Sequence, residues 1–425
     1  MCFVVAAVSC NGKSKKNTTA DADNSMSAAF MKAQNNKTSD KTAVDRISYN
    51  KNIAIKDTAS KTFTEVKAKD LVRNMKTGWN LGNTMDATGG KHDLTSEISW
   101  GQPYTTKAMI DGLAASGIKT LRIPVSWIHH IIDANYTIDP KWMSRVKEIV
   151  NWAIDDDMYV IINIHHDNFD KNEKMPPLAG FYPSDENFEN SANFVCNIWA
   201  QIALAFNNGY DEHLVFEAMN EPRLCGTSEE WYYNVTSAKS LAAMKNLNKL
   251  NQAILDVIRA SDGNNKKRLV AFPSLQASPD SAFAGTFKMP QDYDYRTDRL
   301  IVSVHMYTPY SFAMESPGIR DYSANVKKEF TSIFKRLNDT FISKGYAVYI
   351  GEYGATNKNN LKDRVAWFHD FIKESYAYGM PCILWDNGVW QVENDDYNEH
   401  YGYYNRKNQT WYFPEIIEAI TQEVQ

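Results

Sequence analysis

The sequence predicts an α/β fold, a closed (β/α)8 barrel preceded by a disordered tail. Three observations predict it. From residue 70 onward, eight short apolar or β-branched runs recur, each ending in polar or aromatic residues. Amphipathic helical stretches lie between most of these runs. Positions 11–62 are poor in large apolar residues, and all 11 Trp lie at or after Trp79.

The tail comes first. Residues 1–62 hold ten Lys or Arg against five Asp and no Glu, so they carry about +5 and leave about −10 for the rest of a chain whose net charge is −5. A segment rich in Asn, Lys, Thr, Ser and Ala buries too little surface to offset its ordering entropy. The expected division is therefore an apolar leader-like segment at 1–10, a disordered linker at 11–62 and the barrel at 63–425. Ala7-Val8-Ser9-Cys10 resembles a bacterial lipobox, with Cys10 as the residue that would carry lipid. Export, to the medium or to a surface anchored through Cys10, is the expectation.

The eight runs are 77–83, 120–127, 159–167, 214–221, 268–275, 300–307, 347–355 and 382–389. Most are near-continuous in apolar residues, as parallel strands covered on both faces must be. The helical segments are 141–154, 191–207, 237–261, 324–343, 361–378 and 415–424. Asp139-Pro140 supplies an N-cap and a first-turn proline for one of them. Gly345 and Gly379 follow two others, where a left-handed cap suits glycine. Strands alternating with helices give a parallel sheet, and eight repeats close most economically into a TIM-type barrel. An open doubly wound sheet needs a glycine-rich phosphate turn after its first strand, where this chain has Asn80-Leu81-Gly82-Asn83-Thr84.

Composition narrows the function. The acidic balance argues against nucleic-acid binding. No apolar run of about 18 residues marks a membrane span. Cys2, Cys10, Cys196, Cys225 and Cys382 show neither a disulfide framework nor metal-ligand spacing. Cys196 and Cys382 read as buried thiols, with a Cys196–Cys225 bridge as the alternative.

In such a barrel the active site lies at the C-terminal ends of the strands. Run 4 ends Asn220-Glu221-Pro222 and run 7 ends Gly351-Glu352-Tyr353-Gly354. A buried acid is costly unless paired, so each needs a reason. One glutamate is explained as a partner for Arg122; two on facing strands suggest a catalytic pair. Paired carboxylates suit glycoside hydrolysis, one protonating the leaving oxygen and the other attacking the anomeric carbon or activating water. Arg122, His165, His166, His305, Tyr307 and Trp385 complete the strand ends. His305 and Tyr307, two apart, share a face. Adjacent His165 and His166 should point to opposite faces of a regular strand.

Segments GWNLGNTMD (78–86), WGQP (100–103), LRIPVSW (121–127), NIHHD (163–167), NEP (220–222), HMYTPY (305–310), GEYGA (351–355) and LWDNG (384–388) resemble glycoside hydrolase family 5, the retaining, cellulase-containing family of (β/α)8 enzymes. They run in order from about residue 70 to the end, one per strand end. The resemblance implies endo-acting hydrolysis of β-1,4-glucan, with cellulose, mixed-linkage glucan or xyloglucan as substrate. A β-mannanase or xylanase on the same scaffold is the alternative. By the same resemblance Glu221 is the general acid/base and Glu352 the nucleophile. Asn220 holds the sugar 2-hydroxyl, Arg122 and Tyr307 contact the nucleophile, and His305 sits near the acid/base. His165 is the strand 3 histidine, with His166 its neighbour, and Trp385 is the platform under the reacting sugar. Asn83 and Trp100 are candidate cleft residues. Tyr353 stands where Phe is frequent and Gln102 where Asn is frequent. No cofactor or metal is implied, and the enzyme is expected to be a monomer. A retaining pair requires carboxyl groups roughly 5–5.5 Å apart.

Two other classes compete with this reading. A metal-dependent hydrolase would draw on His165, His166, Asp167 and His305, but it usually begins with His-x-His on the first strand. A non-catalytic glycan-binding barrel commonly lacks one carboxylate, and this chain has both.

Overall fold

The computed structural model describes residue 50 and residues 55–169, 180–394 and 396–424. The leader-like segment 1–10, with Cys2 and Cys10, and the tail from 11 to 49 lie outside the described residues.

Eight parallel strands close into a barrel in sequence order. They are β1 Thr77–Asn80, β2 Thr120–Ile123, β3 Tyr159–Asn163, β4 Leu214–Glu217, β5 Val270–Pro273, β6 Leu300–His305, β7 Ala347–Tyr353 and β8 Cys382–Leu384. Closure is made by β1 on β8, with Thr77 opposite Cys382 and Trp79 opposite Leu384. Every predicted run contains its strand, and all eight runs extend past it. The hydrogen-bonded ladder stops where the polar residues begin. Beyond it, single backbone bonds continue around the rim: Leu81 N–H to Arg122 O, His165 to Val125, Asn220 to Ile164, Met306 to Glu352 and Trp385 to Tyr353. These bonds hold the segments that carry the polar side chains.

Helix α1, Ala68–Met75, precedes the barrel; α2 is Lys107–Ala115 and α3 Pro140–Asp155. Then come α4 Phe188–Ala205, α5 Ala238–Ala260, α6 Pro279–Phe283, α7 Ala324–Thr340, α8 Leu361–Ala377 and α9 Pro414–Gln422. Asp139 caps α3, accepting from the Lys141 N–H, with Pro140 in the first turn. Gly345 and Gly379 take φ values of 102° and 74°, the left-handed caps the sequence calls for. Helices α1, α2 and α6 are additions to the sequence reading. In α1, Ala68, Leu71, Val72 and Met75 recur at helical spacing and are wholly buried. They pack with Tyr159, Val215, Leu269, Ile301 and Ala347, all near strand starts, so α1 closes the N-terminal end of the barrel.

One boundary needs correction. Residues 55–62, placed in the linker by composition, are seated on the barrel. The Asp57 carboxylate accepts from the N–H groups of Asn207 and Gly209, and Lys61 N–H donates to Asn208 O. Polar anchoring, invisible to a hydrophobicity argument, fixes this stretch. Cys196 and Cys382 are buried free thiols, so no bridge joins Cys196 to Cys225. Burial pushes the Cys382 thiol up to about 12, which keeps it unreactive. No helix among the described residues is long and apolar enough to cross a membrane.

Candidate active site

Arg122 of β2 is the hub of the C-terminal mouth. Its guanidinium is wholly buried. Nη1 donates to Glu352 at 2.9 Å and to the Asn80 side-chain oxygen at 2.8 Å. Nη2 donates to the Asn220 side-chain oxygen at 2.7 Å. Nε donates to Glu217 at 2.8 Å. Burial works against its charge; the negative charges of Glu217 and Glu352 more than reverse that.

Glu352 also accepts from the Tyr307 hydroxyl at 3.1 Å. His305 Nδ1 stands 2.6 Å from Glu221 and 3.5 Å from Glu352. One oxygen of Glu221, one of Glu352 and a His305 ring nitrogen all lie within 4.8 Å of one another. Close approach at Gly351 makes this possible. A side chain there would stand 3.0 Å from Ser303 Oγ and 3.2 Å from His305 Nε2.

The three groups titrate together. Burial raises the Glu352 carboxyl, with His305 and Arg122 pulling against it. Burial works to raise Glu221 too, but the hydrogen bond and charge of His305 outweigh it and bring Glu221 down. Burial lowers His305, and the charge of Glu352 with the hydrogen bond to Glu221 raises it above its ordinary 6.5. At rest the acidic proton therefore sits on the His305 side of the 2.6 Å hydrogen bond. These directions alone would leave Glu221 the less protonated of the two carboxyls. Counted as a pair, Glu221 and His305 hold the proton, and Glu352, with two hydrogen-bond donors, is the carboxylate free to act as a base or nucleophile.

The histidines after β3 differ from the expectation. β3 ends at Asn163, so His165 and His166 lie beyond the pleat, and their rings meet edge to face at 4.4 Å. Both border the same site. Asn163 donates from its amide to His165 Nδ1 at 3.1 Å and to Glu217 at 3.0 Å. That fixes a neutral His165 with its proton on Nε2. Burial, then neighbouring positive charge, lowers His165, and likewise takes His166 down to about 4.

Aromatic surfaces flank the carboxylates. The Trp385 ring is parallel to His165 at 5.9 Å, and Trp100, 38% exposed, lies 5.3 Å from His166. Asn83 sits in a left-handed turn at φ 56°, where its N–H donates to Asp86. Its place in the turn is thus structural, at the edge of the same loop. Beyond Glu221, Arg223 donates to the Glu221 carbonyl and lies 4.2 Å over the half-exposed Trp231.

Sequence reasoning missed Glu217, Asn80, Asn163, Ser303 and Tyr349, which form the polar floor under Arg122. One signal was present. Glu217 is a lone acid inside the apolar run LVFEAM, as Arg122 is a lone base inside TLRIPV. Two such residues on separate inner strands have each other as the obvious partner.

The chain is similar to known proteins over most of its length. The family model Cellulase (glycosyl hydrolase family 5) matches residues 82–390. Endoglucanase B of Ruminococcus albus is 42% identical over 360 residues, covering 84% of this chain and 81% of that protein. A GH5 family lichenase from Caldicellulosiruptor sp. F32 superposes with a TM-score of 0.79 at 37% identity, covering 87% of this chain and 98% of that one. A GH5-4 broad specificity endoglucanase from Ruminococcus champanellensis with bound cellotriose gives 0.77 at 36%, covering 85% and 100%. The family match and the 42% identity both extend over most of the barrel, and the chain belongs to glycosyl hydrolase family 5.

Proposed function

We propose that this protein is an endo-acting, retaining β-1,4-glucanase in which Glu352 is the nucleophile and Glu221 the general acid and base. The observation that carries the reading is the approach of the two carboxylates to within 4.8 Å. Retaining pairs stand about 5–5.5 Å apart, whereas inverting pairs need roughly 6.5–9.5 Å to admit a water. The relatives named endoglucanase and lichenase support β-glucan as the substrate.

Glu352 attacks the anomeric carbon while the Glu221–His305 pair delivers a proton to the leaving oxygen. A covalent glycosyl-enzyme forms and the leaving chain departs. Glu221 then takes a proton from water, which attacks the same carbon, breaks its bond to Glu352, frees that carboxylate and restores the configuration. Arg122 and Tyr307 orient Glu352 by donating to it. Asn220, whose oxygen is taken by Arg122, presents its amide N–H group to the sugar 2-hydroxyl. Trp385 carries the reacting sugar, with His165, His166, Trp100 and Asn83 along the cleft.

A polymeric substrate is too large to enter a cell, which supports export, and lipid on Cys10 would anchor the enzyme at the surface. Labelled palmitate incorporated into the protein, and absent from Cys10→Ala, tests the anchor.

Hydrolysis of soluble mixed-linkage glucan followed by NMR tests the chemistry: the β-anomer appears first. Initial release of the α-anomer would refute retention. A panel of cellulose, mixed-linkage glucan, xyloglucan, mannan and xylan ranks the backbones, and a preference for mannan or xylan would overturn the glucanase reading.

A further inference from the structure

Among the buried acids that this mechanism leaves unused, one touches its arginine hub. Glu217, the last residue of β4, has no solvent exposure. Its carboxylate takes the Nε–Nη2 edge of Arg122 at 2.8 and 2.7 Å, while Glu352 takes Nη1. It also accepts from Asn163 of β3 at 3.0 Å, Ser303 of β6 at 2.5 Å and Tyr349 of β7 at 3.0 Å. Arg122 and Asn163 reach it through groups that can only donate, so Glu217 is their acceptor.

We infer that Glu217 is a positioning residue for the reaction. It holds Arg122 so that Nη1 reaches Glu352 and Nη2 reaches Asn220, and it draws part of the guanidinium charge away from Glu352. The inference rests on Glu352 being the nucleophile. A guanidinium given wholly to Glu352 would stabilise its carboxylate further, lowering its pKa and weakening it as a nucleophile. Dividing the charge between two acids keeps Glu352 ionised yet reactive. The geometry also explains why the floor is polar: Asn163, Ser303 and Tyr349 satisfy a charge that would otherwise be left underpaired.

The charged and titratable groups facing Glu352 are Arg122 from β2, Glu221 after β4, and His305 and Tyr307 at the end of β6. Those facing Glu217 are Arg122 and Tyr349. Removing the Glu217 charge therefore acts on Glu352 through Arg122 and through lost repulsion, both in the same direction.

The test is the acidic limb of kcat/KM against pH on mixed-linkage glucan. Glu217→Gln should move that limb down by about one pH unit, and lower kcat at the optimum. Tyr349→Phe removes a donor but leaves the charge, so its limb should move the opposite way, upward and by less. A limb unmoved in both variants, with Tm and kcat merely reduced, would make Glu217 structural only and overturn the inference. If Glu217→Gln does not fold, the direction seen in Tyr349→Phe decides. The nucleophile reading fails separately, by turnover persisting in Glu352→Ala without added azide.

Discussion

The imidazole of His305 and the carboxylate of Glu221 share one 2.6 Å hydrogen bond, buried beside Glu352. His305 is raised above its ordinary 6.5, against the pull of burial, by the charge of Glu352 and the bond to Glu221. The pair therefore keeps its proton to a higher pH than a carboxyl alone. The basic limb of kcat/KM reports loss of that proton. His305→Ala leaves Glu221 to hold it unaided, so the basic limb should move to lower pH. A pH profile on soluble β-glucan checks this; an unmoved basic limb would separate His305 from the proton.

The leaving group discriminates the role of Glu221. On glucan, Glu221→Ala should lose about 10²–10⁴-fold in kcat/KM, the usual worth of general acid catalysis. Aryl glucosides with acidic phenols leave without a proton, so their first step should be nearly spared, and a burst of phenol should precede slow turnover. Equal losses on both substrates would argue against the assignment.

The sequence exposed the barrel and its rim because those obey simple patterns. Continuous apolar runs mark two-sided burial, and polar residues after them mark strand ends. The site residues Arg122, His305 and Glu352 were legible since a charge at such a position has no cheap structural use. What stayed hidden depends on partners far apart in the chain. Glu217 looked like part of a run until Arg122, 95 positions away, was placed against it. A strand running to residue 167 would put His165 and His166 on opposite faces, whereas the ladder ends at Asn163. Residues 55–62 bind through Asp57 and Lys61, and a hydrophobicity argument has no means of seeing that.

Trp385 gives a packing test of the sugar platform. Trp385→Ala should raise KM roughly 2- to 10-fold, the scale of ~0.5–1.5 kcal/mol for ring stacking. Gly82 offers an indirect route to the same end. A Cβ there would lie 2.7 Å from the Asp386 carbonyl oxygen and 3.0 Å from two carbons of the Trp385 ring. Gly82→Ala should therefore displace the ring and reduce kcat/KM, with a change in tryptophan fluorescence. Wild-type kinetics in both variants would remove Trp385 from the cleft.

Asp167, after β3, predicts a pH effect on stability rather than on rate. Its Oδ1 accepts from the N–H groups of Trp127 at 2.8 Å and Ile128 at 2.6 Å, and its Oδ2 has no partner among the described residues. Burial pushes this carboxyl from 3.8 up to about 7, despite those bonds. The folded state thus prefers the protonated acid. Its contribution is complete below about pH 4, where both states are protonated, and is lost as pH rises to about 7. Asparagine keeps the acceptor for both N–H groups and cannot ionise. The Tm of Asp167→Asn relative to wild type should therefore climb between about pH 4 and pH 7 and then level. Asp86, which burial raises to about 6, titrates in both proteins and cancels in the difference. Thermal unfolding across that window gives the answer; a flat difference would mean that Asp167 is charged in the folded protein.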